Sequence, residues 1–377
     1  MTESDWLKGK DVDAMLAAVV DRLSPRKWLL LACATVRRVW ELLPEGDFRQ
    51  AIVWLEDHAG SEIPAETANE WRARVDAAQP AAIEAAQAAQ RLAVLGADPD
   101  ADENEFRESD ARRTNPAVPL FRGATHSAAA AIESAGEAVE HACAAVRVLF
   151  SHSDEPRLAN ARMTCVQALT NHARSGIEAT LALELKAHGD EIADRGVAKN
   201  VRLWQSEAIE TVNKMTEIAG NRSAELEEQK QKGDAKALAR FLIEQVGNPF
   251  QDYRFESQWR TDSVVGIARA IDEDRAVDRY IFLADALLDA DCDEEAILRH
   301  CRGTEKHATE PPIHFRGCWV IDLIMQHDTD VFARPRLTEA RQPAPAERLG
   351  LAFPAGLFDI GLDLDDDDED EPLPDEE

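Results

Sequence analysis

The sequence is poor in aromatic residues, which make up 6% of its 377 residues and include only two tyrosines. It also lacks an apolar run of about 18 residues, the length that a membrane-spanning helix needs. The longest apolar run, from Trp28 to Ala34, is far too short. The N-terminus shows no basic segment followed by an apolar one, so we expect no signal peptide. These absences favour a soluble, cytoplasmic protein with no membrane partner.

Basic residues are scarce relative to acidic ones, with 42 Lys and Arg against 72 Asp and Glu and a formal net charge of −30. Because like charges repel, this balance argues against nucleic acid as a direct partner. From Asp359 onward the chain has twelve acids and no base. We expect a disordered tail there, able to engage a basic protein. Lys27, Arg37 and Arg38 form a local basic group, which we expect on a solvated helix face.

Alternating strand patterns are missing, whereas apolar residues recur at steps of three and four along much of the chain. That spacing is typical of one buried helix face. One such stripe consists of Leu29, Cys33, Val36, Trp40 and Leu43. Ser24 followed by Pro25 is a helix-start signal just before it. We therefore predict an all-α protein built from helical bundle units, with a disordered acidic C-terminal tail.

Changes in composition divide the chain into five predicted segments. These are an N-terminal helical unit with an Ala-rich extension (1–95), an acidic linker (96–119), a central helical bundle (120–232), a C-terminal helical unit (236–326), and a Pro-rich segment with the acidic tail (333–377). We expect Phe250 and Trp319 to pack in the core of the C-terminal unit. Trp71 lies on the Ala-rich extension, where we expect thinner packing because Ala buries little area.

Two separated pieces of the chain carry specific motifs. The first comprises MTESDWLKGKDVDAMLAAV and SPRKWLLLACATVRRVWELL; the second comprises LIEQVGNPFQDYRFESQW and RGCWVIDLIM. Together they resemble an uncharacterised, paralogous bacterial protein family in which similar blocks, about 1–60 and 240–326 here, flank a variable Ala-rich middle. The resemblance implies domain boundaries and no known activity. This chain departs from the pattern by a longer segment between Cys301 and Gly317 and by its acidic tail.

The richest group of chemically active side chains lies near the C-terminus and consists of Cys292, His300, Cys301, His307, His314 and Cys318. Thiolates and imidazoles are the ligands that zinc prefers. We take Cys292, Cys301, His307 and Cys318 as the candidate metal ligands and zinc as the candidate cofactor. The set contains no C-x₂-C pair, so packing of the thiols in helix contacts, with no cofactor, is the alternative. A nucleophilic Cys with a His partner is a further one.

Common catalytic signatures are absent. The sequence contains no G-x-G-x-x-G, G-x-x-x-x-G-K-[ST], H-E-x-x-H or G-x-S-x-G motif, and no Glu-x-x-His pair for a di-iron centre. We therefore expect a non-enzymatic protein-interaction or regulatory scaffold. One alternative is a metal-stabilised or thiol-dependent activity centred on the Cys/His group. Another is an acidic nucleic-acid mimic that binds a basic protein.

Overall fold

A computed structural model describes residues 1–9, 11–95, 117–151, 154–194, 201–304, 314–328 and 336–337. Within these ranges the protein consists of α-helices and short 3₁₀ turns, with no strand. The predicted all-α fold class is thus confirmed. The predicted disordered tail and most of the predicted linker lie outside the described residues.

Four short helices form the N-terminal part of the chain. They are α1 (Glu3–Leu7), α2 (Val12–Val19), α3 (Pro25–Val36) and α4 (Asp47–Asp57). Polar caps fix where three of them begin: Thr2, Asp11 and Ser24 each accept a hydrogen bond from a backbone N–H of the first turn. Such caps satisfy amide groups that have no partner inside the helix. The Ser24-Pro25 start signal read from the sequence is therefore confirmed.

Four long helices follow and build the bundle. They are α5 (Ala65–Leu95), α6 (Val118–Val148), α7 (Asp154–Asp194) and α8 (Val201–Val246). Helix α6 packs along α7 and also contacts α5. Its stripe of Val139, Ala142 and Val146 is buried, as the spacing predicts.

Four shorter helices complete the described chain. They are α9 (Asp262–Asp274), α10 (Tyr280–Asp289), α11 (Glu295–Arg302) and α12 (Trp319–Met325). Together with Trp259 they enclose a second hydrophobic core, separate from the core of the N-terminal helices. Trp319 lies in this second core, as expected. Phe250 does not, because it packs against the first core.

Helix α8 runs without interruption through the predicted boundary between residues 232 and 236. Its final turns carry Leu238, Phe241 and Leu242 into the first core, beside the N-terminal helices. The polar stretch before them continues the helix across this boundary, because Glu, Gln and Lys are good helix formers. The first core therefore draws on three of the five predicted segments, and the boundaries themselves remain predictions.

Trp71 is also more deeply packed than its Ala-rich neighbourhood suggests. It is 8% exposed. Its ring lies 5.9 Å from that of Trp54 and 6.4 Å from that of Phe150, centroid to centroid. The expectation of thin packing there is wrong, because the neighbours come from α4 and from the end of α6 rather than from the same helix.

Lys27 is the deepest charged residue of the N-terminal helices, with 0% exposure. Its ammonium nitrogen lies 2.7 Å from Asp322 Oδ2 and donates to the carbonyls of Gln245 at 2.6 Å and Gly317 at 3.2 Å. Arg26 donates to the same Asp322 carboxylate at 2.9 Å. These contacts join α3 to the end of α8 and to α12.

The prediction that Lys27, Arg37 and Arg38 form a basic group on a solvated helix face is thus wrong. Lys27 is buried, Arg37 is paired with Glu56, and Arg38 is paired with Asp234. Each cation has a carboxylate or carbonyl partner from another helix or turn, and periodicity within one helix does not reveal such partners.

None of the helices in the described ranges combines the length and the apolar character required for a transmembrane span.

Replacing Asp322 with Asn should destabilise the fold by about 3–5 kcal/mol, because it leaves the buried Lys27 ammonium without a carboxylate and removes one of the two carboxylates that Arg26 contacts. Burial alone would raise the pKa of Asp322, but the charges of Lys27 and Arg26 hold that pKa well below its usual value. The stabilising contribution is therefore present above about pH 4 and lost as the pH falls further. Urea unfolding of both proteins at about pH 7 and pH 3 should show a difference that shrinks in acid.

The matched control is Asp190→Asn, which removes an exposed i, i+4 pair with Lys186. Exposed pairs contribute little, so its unfolding free energy should stay close to that of the wild type. Equal unfolding free energies for the Asp322 and Asp190 variants would contradict the role assigned to the buried pair.

Candidate metal centre

Four polar side chains meet inside the second core: Glu244, His300, His314 and Cys318. One ligand atom from each lies within 4.8 Å of every other. Glu244, His300 and Cys318 are buried and His314 is largely so. Such a cluster can hold a metal ion, because carboxylate, imidazole and thiolate groups are metal ligands.

Three helix ends bring these side chains together. Glu244 lies in the last turn of α8, which stops at Gly247 with a positive φ of 70°. A Cβ at Gly247 would lie 2.8 Å from the Tyr253 hydroxyl, so glycine is required there. His300 lies in the last turn of α11, on the same buried face as Ile297 and Cys301.

The other two groups flank the start of α12. His314 precedes it by five residues, and Cys318 occupies its N-cap position. Gly317 between them has a φ of 93°, and a Cβ there would lie 2.8 Å from a Leu30 methyl group. The turn can therefore press against α3 only with glycine at this position. This tight approach fixes where the Cys318 thiol points.

Direct hydrogen bonds already connect the four groups. His314 Nδ1 lies 2.9 Å from Glu244 Oε1. His300 Nε2 lies 3.1 Å from Cys318 Sγ and 3.4 Å from Glu244 Oε1. The Trp319 indole N–H donates to His300 Nδ1 at 3.3 Å, and the other ring nitrogen, Nε2, faces the sulfur and the carboxylate.

Aromatic rings close the cluster from the side. The Tyr280 ring stacks on the His314 ring, with 3.6 Å between centroids. The Trp319 ring meets the His300 ring edge-on at 5.3 Å and stacks on Tyr253 at 4.0 Å. Both imidazoles are therefore held in place by flat apolar surfaces, which also limit the access of water to them.

Charge within the cluster is balanced locally. Burial alone would raise the pKa of Glu244, but the charges and hydrogen bonds of His300 and His314 lower it to about 2. Burial would likewise lower the pKa of His314, but hydrogen bonds to Cys318 and Glu244 raise it to about 9. The carboxylate is thus ionised and faces positive charge, which is the electrostatic setting in which a metal cation can replace protons.

Only part of the sequence-predicted ligand set lies in this cluster. Cys318 belongs to it, whereas Cys292 and Cys301 are buried in the second core outside the group of four. His307 lies outside the described residues. His300 and His314 belonged to the wider Cys/His group read from the sequence but not to the four chosen ligands.

Glu244 was missed altogether, although the sequence holds a signal for it. It is an acidic residue in the last turn of a helix that ends at Gly247. A carboxylate at that end faces the negative pole of the helix dipole and is unfavourable there without a partner. An acid in the final turn of an otherwise apolar helix end thus indicates a cationic partner from elsewhere in the fold.

Burial raises the thiol pKa of five cysteines: Cys33, Cys143, Cys165, Cys292 and Cys301. All six are free and buried. Burial raises the pKa of Cys143, Cys165 and Cys301 to about 12 in each case. A nucleophilic thiol needs a lowered pKa and access to its substrate, and these three have neither.

Comparisons with known proteins give no further guide. No protein-family model, curated protein or solved structure matches this chain. The resemblance to an uncharacterised bacterial family therefore remains a prediction, and function has to be argued from the cluster itself.

Alkylation tests the burial of the thiols. Iodoacetamide at near-neutral pH should leave the native protein essentially unlabelled, because the reagent needs an accessible thiolate. The same treatment in concentrated guanidinium should add six carbamidomethyl groups, one for each cysteine. Intact-protein mass spectrometry counts the groups in both states. Rapid single labelling of the native protein would instead point to an activated thiol and revive the thiol-dependent alternative.

Proposed function

We propose that this protein is a non-enzymatic helical scaffold whose C-terminal helices are held together by a structural zinc ion. Glu244, His300, His314 and Cys318 are the proposed ligands. The observation that supports the proposal is the convergence of their four ligand atoms within 4.8 Å inside a hydrophobic core. Buried polar groups are costly unless they are paired or bound to a metal. Here they pair with one another, and a bound ion would take the place of those contacts.

The shorter spacings of the ligand atoms are near those around a zinc ion, and spacings of up to 4.8 Å would close by about an ångström on binding. Zinc–ligand bonds of about 2.0–2.3 Å in a tetrahedron place neighbouring ligand atoms about 3.3–3.8 Å apart. The contacts of His300 Nε2 with Cys318 Sγ at 3.1 Å and with Glu244 Oε1 at 3.4 Å are close to this range. The contact of His314 with Glu244 at 2.9 Å would lengthen by roughly half an ångström on metal binding.

The donor types favour zinc over other common ions. Calcium and magnesium prefer sets made entirely of oxygen donors, whereas this set contains one thiol and two imidazoles. With four protein ligands a tetrahedral zinc ion keeps no position for water or substrate, which is typical of structural sites rather than catalytic ones. This supports a scaffold role rather than an enzymatic one.

Zinc binding would also change the hydrogen bond that the other ring nitrogen of His300, Nδ1, makes with Trp319. A zinc ion on Nε2 displaces the proton held there, and the neutral ring then carries its proton on Nδ1. That nitrogen could no longer accept the Trp319 N–H, so the indole would have to turn to another partner. Zinc binding should therefore alter the environment of Trp319, a buried aromatic residue of the second core.

We place this scaffold in the cytoplasm. All six cysteines are free, and unpaired thiols persist in reducing compartments. The ion would link the ends of α8 and α11 to the start of α12, three points separated by long stretches of sequence. Metal bound only by the folded state contributes directly to its stability.

Zinc-dependent unfolding tests the proposal. The protein is stripped with a chelator, and its melting temperature is measured with and without added zinc. Zinc at about a thousand times its dissociation constant should stabilise the wild type by about 4 kcal/mol. His314→Ala and Cys318→Ser should remove this shift. Elemental analysis of the folded fraction should give one zinc per wild-type chain and none for either variant.

Cys301→Ser is the matched control, since Cys301 is an equally buried thiol in the same core but outside the group of four. It should keep both its bound zinc and its zinc-induced shift. The proposal is wrong if the wild type shows no shift, or if Cys301→Ser loses zinc while Cys318→Ser retains it.

A further inference from the structure

Helix α10 presents large apolar side chains to solvent. Its inner face, which includes Leu283 and Leu287, is buried in the second core. On its outer face Ile281 is 61% exposed and Phe282 is 60% exposed, with Leu288 one to two turns further on. Val277, in the 3₁₀ turn that leads into the helix, extends the exposed row.

The density of these residues separates α10 from the rest of the described surface. Other exposed large apolar residues lie singly on three long helices: Leu92 on α5, Leu183 on α7, and Ile209 and Ile218 on α8. Isolated apolar residues are normal on protein surfaces. Four large apolar residues exposed between Val277 and Leu288, by contrast, indicate an interaction site.

Aspartates lie among these apolar residues. Asp278 is four residues before Phe282 and Asp285 is three after it, which makes both of them its neighbours on the helix surface, and Asp289 lies one turn beyond Asp285 on the same side. All three are exposed. The one base between residues 277 and 289 is Arg279. The α10 surface, defined by these apolar residues and aspartates, is therefore an exposed helix face that combines large apolar side chains with negative charge.

We propose that the α10 surface binds a basic amphipathic helix of a partner protein. The exposed apolar residues from Val277 to Leu288 span the 3₁₀ turn and α10, about three turns in all, a length that suits a second helix laid along them. The apolar face of the partner would cover Ile281 and Phe282, and its Lys or Arg residues would meet the aspartates. Matching the apolar residues and the aspartates at once requires a partner that is both helical and positively charged.

Charge argues against the other occupants of such a surface. In a dimer of this chain joined through α10, the aspartates of the two α10 surfaces would face each other. Like charges that face each other are unfavourable. An anionic lipid surface would meet the same repulsion. The inference does not depend on zinc, because none of the side chains of the α10 surface is a proposed metal ligand.

A designed peptide tests the proposal on the full-length chain. The probe is a fluorescein-labelled peptide with Leu at helical spacing and Lys at the remaining positions, and its partner probe replaces Lys with Glu. Fluorescence anisotropy should show binding of the Lys peptide and none of the Glu peptide. The double variant Ile281→Ser, Phe282→Ser should bind the Lys peptide about tenfold more weakly or worse, since central apolar contacts dominate such interfaces.

The matched control is Ile209→Ser, Ile218→Ser, which removes two exposed apolar residues from α8 and likewise leaves the charge unchanged. It should bind the Lys peptide as the wild type does. Non-specific attraction to a chain of charge −30 would act equally on all three proteins. Equal affinities for the three would therefore overturn the proposal.

Two more measurements complete the test. The triple variant Asp278→Asn, Asp285→Asn, Asp289→Asn should bind more weakly and with less dependence on salt, because the charge contribution is removed. Sedimentation velocity of the unliganded wild type should show a monomer. A dimer that the Ile281→Ser, Phe282→Ser substitutions dissolve would assign the surface to a second copy instead and overturn the inference.

Discussion

The buried ammonium group of Lys27 is the constraint on which the arrangement of the two cores depends. An ammonium ion in a protein interior must have its charge balanced and its hydrogen bonds satisfied, or the fold loses several kcal/mol. Asp322 balances the charge, and the carbonyls of Gln245 and Gly317 accept hydrogen bonds. This one side chain of α3 thereby fixes the end of α8 and the start of α12 relative to α3.

The same constraint orients the candidate metal centre. Gln245 faces Lys27 both through its carbonyl and through its amide, which donates to the Lys27 carbonyl at 3.1 Å. Its neighbour Glu244 then points into the second core toward His300 and His314. Of two consecutive residues at this helix end, Gln245 thus contacts α3 and Glu244 contacts the cluster in the second core. The geometry of the His/Cys/Glu cluster therefore depends on contacts made by the N-terminal helices.

Local features of the structure could be predicted from the sequence, and contacts between distant segments could not. The 3.6-residue period and the Ser24-Pro25 cap predict the helices because the signal lies within one helix. From the sequence we predicted that Lys27 is solvated and that Trp71 is thinly packed. Both predictions are wrong because the residues that contact these two side chains come from other segments of the chain. The ligand set predicted from the sequence shares only Cys318 with the cluster, because Glu244 lies 74 positions before Cys318 in the numbering. No spacing rule for zinc motifs extends so far.

The most direct test of the proposed centre is anomalous X-ray diffraction from crystals of the zinc-treated protein, with data above and below the zinc absorption edge. The account predicts one anomalous peak, about 2.0–2.3 Å from Glu244, His300, His314 and Cys318, with the His314–Glu244 contact lengthened beyond its metal-free 2.9 Å. An absent peak, with the four side chains still hydrogen-bonded to one another, would contradict it. The cluster would then be a buried polar network that holds its own charges without a metal.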